Sequence, residues 1–113
     1  MDEITLKYLF DIKIAIEEIE SFFQSVPKSF QEYQNNLVLK RAIERNLEII
    51  GEAINRISRK DPGVKISNAQ RIISLRNQII RGYDSISDEI IWGVIIKHLP
   101  VLKSEILRLI STS

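Results

Sequence analysis

The chain contains no cysteine, which excludes disulfides, thiol nucleophiles and cysteine-ligated metal centres. That absence fits a reducing compartment, and the cytoplasm is the expected location. Histidine occurs once, at His98. No histidine cluster and no pair of carboxylates has the arrangement of a metal site, so neither a metal nor another cofactor is expected. No apolar run approaches the roughly 20 residues that a membrane-spanning helix needs. The opening residues, Met1-Asp2-Glu3, are acidic where a signal peptide would be basic. Strand signals are weak, and there is no internal repeat or low-complexity linker. The 113 residues have room for one domain, spanning 1–113, whose stability is marginal unless a partner adds buried surface.

Net charge is only +1, so the whole molecule does not announce a polyanion partner. The distribution is more informative. Between Lys40 and Arg81 stand ten basic residues and four acids, whereas the first 39 residues and the tail are both net acidic. A basic middle could attract a nucleic acid. Equally, these charges could be the solvated faces of helices.

Apolar residues at Leu6, Leu9, Ile12, Ile16, Ile19 and Phe23 recur in steps of three and four, and predict a helix from Asp2 to about Gln24. Pro27 and Ser29 close it. A second helix is predicted from about Phe30 to Arg59, with Leu39, Ala42, Ile43, Leu47, Ile50, Ile54 and Ile57 on one face. Gly51 inside it costs about 1 kcal/mol relative to alanine, and a close approach of another helix would account for it. Lys60-Asp61-Pro62-Gly63 reads as a turn. Ser67 is the expected N-cap of a third helix, with Gln70 completing a capping box and Gly82 ending it. Ser87 or Asp84 would cap a fourth helix, Asp88 to about Leu99. Pro100 is either the first residue of a fifth helix or a kink. The predicted class is all-α, an up-and-down bundle of four to five helices.

The candidate chemistry lies in Arg76-Asn77-Gln78-Ile79-Ile80-Arg81-Gly82-Tyr83. On a continuous helix Arg76 and Tyr83 project to nearly the same side, and Asn77 neighbours Arg81. Two guanidinium groups could hold a phosphodiester by paired hydrogen bonds, and Tyr83 could stack on a base or donate to a phosphate. A purely structural reading is also open, in which these residues finish the helix and the arginines satisfy acids of the second helix. Glu52 is such an acid, able to pair with Arg76 or Arg81. His98 is expected to interact with free carbonyls at a helix end. Trp92 is expected to pack in the core or an interface.

Three motifs occur together and in order: Ile49-Ile50-Gly51-Glu52-Ala53, then Arg76-Asn77-x-x-x-Arg81-Gly82-Tyr83, then Asp88-Glu89-Ile90-Ile91-Trp92 with His98-Leu99-Pro100-Val101-Leu102. In this the chain resembles the HepT-like ribonuclease toxins of the HEPN superfamily over nearly its whole length. The resemblance implies a homodimer whose two signature segments face each other across a cleft. It implies metal-independent RNA cleavage by attack of a 2′-hydroxyl on the adjacent phosphate. It further implies a cognate nucleotidyltransferase antitoxin of the MNT type, which modifies a tyrosine with AMP. On this chain Arg76 would bind and polarise the phosphate, Asn77 would assist it, and Tyr83 would accept AMP, blocking the cleft by charge and bulk.

The family pattern has histidine where this chain has Arg81. A histidine exchanges protons near neutral pH; an arginine stays protonated and cannot act as the base. The expectation is therefore a nuclease scaffold that is inactive or attenuated. Arg81 is then an engineered change, a natural loss of catalysis, or part of a slow reaction driven by phosphate stabilisation alone. The main alternative is a non-catalytic helical dimer that docks the nucleotidyltransferase. A third reading is a general nucleic-acid binder that uses the basic middle.

Overall fold

The computed structural model describes residues 1–82 and 86–112. Its elements are α1 (Glu3–Phe22), α2 (Phe30–Asn35), α3 (Leu37–Lys60), α4 (Ala69–Ile80), α5 (Asp88–Gly93), a π-helical turn (Val94–His98) and α6 (Leu99–Ser111). Since α5, the π turn and α6 run on without a break, the described residues form five helical rods and no strand. The all-α bundle expected from periodicity is the observed class.

Helix α1 starts at Asp2, whose carboxylate accepts the Thr5 amide at 2.8 Å and satisfies a donor that the first turn leaves unpaired. Its apolar stripe is buried at Leu9, Ile12, Ile16 and Ile19. Helix α3 buries Leu39, Ile43, Leu47, Ile50, Ile54 and Ile57. It is the central element, packed on α1 along one flank and on α4 along the other, while α6 covers α1. At one end α2 and α5 close the bundle. There Trp92, half-buried, sits among Phe23, Phe30 and Tyr33, with ring centroids 5.9, 6.3 and 5.9 Å away. It packs in the aromatic end of the core, in line with its expected role.

Three sequence expectations are corrected. The long helix expected from Phe30 is two helices. Asn36 takes an extended conformation (φ −116°, ψ 96°), and its side-chain oxygen accepts the Leu39 amide at 3.0 Å. An asparagine that captures a nearby amide stops one helix and starts the next. At the third helix, Ser67 is not the N-cap. Helix α4 follows Asn68, which is left-handed at φ 60° and makes no side-chain cap bond. Ser67 instead gives both its amide and its hydroxyl to the Glu105 carboxylate of α6, because a charged acceptor makes the stronger bond. The boundary near Leu99 is as expected: the π turn ends at His98 and Pro100 stands in the first turn of α6. Proline lacks a donor and its ring crowds the carbonyl four residues back. The chain accommodates this by widening the turn, so that the Leu99 amide reaches back five residues to the Val94 carbonyl. For the same reason His98 meets no free helix end, and its Nδ1 lies 3.4 Å from Asn68 Nδ2. Of the two fourth-helix caps, Ser87 caps α5 by accepting the Ile90 amide at 3.2 Å; Asp84 lies outside the described residues.

Candidate functional site

The site begins with Gly51. A Cβ built there would lie 2.8 Å from Arg76 Cγ and 3.3 Å from the Ile72 carbonyl oxygen. The absence of that carbon lets α4 approach α3 closely enough for the Arg76 stem to lie across it. This is the close approach that a mid-helix glycine predicts.

Arg76 is thereby held over the α3 residue that follows the glycine. Its Nη2 forms an ion pair with Glu52, and its Nη1 donates to Asn77 Oδ1 at 2.8 Å. Its Nε–H is buried with no acceptor among the described residues. The second oxygen of Glu52 accepts Arg56 Nε at 2.7 Å. The Arg56 hydrogen bond, with the charges of Arg76, Arg56 and Arg59, holds the Glu52 carboxyl below its usual range against a smaller opposing effect of burial. Glu52 thus stays ionised and fixes two guanidinium groups on one face. Arg76 and Asn77, two of the candidate catalytic residues, are in contact with each other.

Arg81 is placed differently. Helix α4 ends at Ile80 and Arg81 is its C-cap, its amide bonded to the Asn77 carbonyl at 3.1 Å. Gly82 follows at φ +69° and its amide returns to Ile79 at 3.0 Å, the left-handed termination expected of glycine. The Arg81 side chain is exposed, and among the described residues no ion pair or hydrogen bond fixes its guanidinium. Helix α4 thus ends at Ile80, with Arg76 in its last turns. Tyr83 itself lies outside the described residues. His98 neighbours Asn68, just ahead of α4, and Arg76 is eight residues further along, about 12 Å at the rise of an α-helix. That distance keeps it out of the Arg76 site.

Two open grooves meet at Arg76 and Glu52. One, of about 320 Å³, is bordered by Tyr8, Arg45, Ile49 and Ile80 and is largely apolar. The other, of about 570 Å³, runs past Arg56, Arg59 and Lys60 and is largely polar. Tyr8 borders both and was not among the sequence candidates. It sits one residue off the α1 apolar stripe, and only the packing of α1 on α3 brings it to the site. Among the described residues no group of three or more His, Cys, Asp or Glu side chains is placed to hold a metal ion, and no helix is long and apolar enough to cross a membrane.

A family model described as "Ribonuclease HepT-like" matches residues 12–109. Among curated proteins, "Putative RNase MJ1380" of Methanocaldococcus jannaschii is 30% identical over 101 residues, covering 88% of this chain and 90% of the relative. "Putative RNase TTE0752" of Caldanaerobacter subterraneus subsp. tengcongensis is 33% identical over 94 residues, covering 80% and 83%. No solved structure matches the chain.

Proposed function

The chain belongs to the ribonuclease HepT-like family, and from that premise we propose that it is the toxin subunit of a prokaryotic HepT/MNT toxin–antitoxin pair, a metal-independent endoribonuclease whose activity is impaired by Arg81. The observation that carries the reading is the Arg76 arrangement: a guanidinium steadied by Glu52 and Asn77 at the junction of two grooves. Such a group binds a phosphodiester and stabilises the charge that develops when a neighbouring 2′-hydroxyl attacks phosphorus and the 5′-oxygen leaves. Removing the proton from that hydroxyl calls for a group that titrates near neutrality. Arg81 does not, so the reaction is slow or absent in this sequence.

The assembly is a cytoplasmic homodimer, and 1–113 acts as one domain. Half-exposed Ile80 and partly exposed Ile49 on the rim of the apolar groove supply a surface that a second copy would cover, bringing two Arg76 groups across one cleft. Tyr83 is the acceptor for AMP from the nucleotidyltransferase partner. Its hydroxyl attacks the α-phosphate of ATP and releases pyrophosphate, leaving an anionic group beside the cleft.

RNA cleavage and growth arrest, compared between this chain and Arg81→His, test the reading. Cleavage and arrest only in the histidine form, abolished again by adding Arg76→Ala, are expected. If neither form cuts RNA while both remain folded, the nuclease reading fails. A non-catalytic module that binds the nucleotidyltransferase then accounts better for the exposed rim.

A further inference from the structure

The polar groove leads away from Arg76 along α3. Arg56, Arg59 and Lys60 follow Glu52 at steps of four, three and one residues, so they share one face of the helix. From Glu52 to Lys60 this face spans about 12 Å. Four cations of the groove, counting Arg76, confront one carboxylate, Glu52. That carboxylate is engaged by Arg76 and Arg56. Arg59 is exposed with no ion pair among the described residues. Lys60 has only a 3.4 Å pair with Asp2 near the chain terminus. Across the groove from Arg56 stands Tyr8, half-buried, with the Lys7 ammonium 5.6 Å from its ring centroid. Arg59 and Lys60 stand in the last turn of α3, where cations favour the helix end; exposed there, they also present positive charge to an anionic chain.

We propose that this groove is a track for a single RNA strand flanking the scissile phosphate, in which Arg59 and Lys60 each hold a backbone phosphate and the Tyr8 ring carries a base. The proposal rests on the nuclease reading above and adds to it the direction in which substrate leaves Arg76. A cationic groove beside an aromatic ring is the arrangement that follows an unpaired strand, since the ring needs an unstacked base. Arg59 and Lys60 act by positioning; neither reaches the reacting atoms.

The test is binding of a fluorescent single-stranded 2′-O-methyl oligoribonucleotide, which lacks the attacking hydroxyl, across a salt series. Removing two phosphate contacts by Arg59→Ala with Lys60→Ala is expected to reduce the slope of log K against log salt by about 1.4, and Tyr8→Ala to weaken binding without changing the slope. A control pair outside both grooves, Lys97→Ala with Arg108→Ala, removes equal charge from exposed positions and is expected to leave the slope alone. If the parent binds and the Arg59/Lys60 variant keeps its slope, or the control pair lowers it as much, the track is wrong and the nuclease reading stands. Equal loss on an RNA duplex overturns the single-strand assignment. If the parent binds no RNA at all, in this form or as Arg81→His, both readings fall together.

Discussion

Replacing Gly51 with alanine sets two effects against each other. Helix propensity favours alanine by about 1 kcal/mol, but the new methyl would collide with the Arg76 stem and crowd the Ile72 carbonyl, and overpacking of this kind costs about 1–3 kcal/mol. The expected result is a less stable protein with a displaced Arg76, seen as a lower urea midpoint together with weakened RNA binding; a raised midpoint would mean that α3 and α4 do not press together there. Glu52 gives a pH signature. Its folded-state pKa is depressed below the ordinary carboxylate value of 4.5, so its stabilising contribution is complete above that pH and is lost as pH falls through the depressed value. The parent should therefore exceed Glu52→Gln in thermal stability at neutral pH, and the two melting curves should converge in acid below pH 4.5. A gap unchanged from pH 7 down to acid would exclude the carboxylate as its source. Gly51 is legible in the sequence because a glycine inside a strongly periodic helix needs a packing reason. Tyr8 is not, because its distance from the site in sequence hides a contact made only through packing.

At the level of elements, the apolar stripes of α1 and α3 are readable because burial on one face imposes a period of 3.6 residues. Their interruptions are harder to read. Asn36 looks like one more polar residue in a long periodic run, and only the capture of the Leu39 amide makes it a boundary. Asn36→Ala should then cost about 0.5–2 kcal/mol by loss of that cap, measurable by chemical denaturation; a neutral result would mean that the break is held by α2 packing instead. Ser67 shows the opposite error. Its spacing from Gln70 has the pattern of a capping box, but the Glu105 carboxylate from 38 residues away wins its donors, and no local pattern announces a tertiary competitor. Pro100 and the π turn belong together as cause and accommodation. Pro100→Ala removes the ring that forces the wider turn, and hydrogen exchange of the Leu99 amide should slow as an ordinary four-residue bond becomes available.

The molecule as a whole measures 41 × 29 × 19 Å, a slab whose thin dimension leaves little depth for a core. A second copy against the rim at Ile49 and Ile80 would shelter more apolar surface, and Ile80→Glu is expected to shift the protein from dimer to monomer in sedimentation with the helical content unchanged. A parent that sediments as a monomer at all concentrations would remove the dimeric cleft from the proposed mechanism. The family is legible at this scale because three motifs keep their order along the chain, and the end of α4 at Arg81 is marked by Gly82; that the Arg81 side chain meets no ion-pair partner among the described residues is not legible, since it depends on how the helices pack.

That same helix carries a consequence for heat. The site exists only while the twelve residues of α4 lie against α3, and α4 is joined to the rest at its leading end through Glu105. The helices α1 and α3 share an interface of their own, apart from α4. Warming should therefore silence the protein before it melts: Arg76 would leave Glu52 in a local opening, and a curve of function against temperature would fall several degrees ahead of the loss of helical signal.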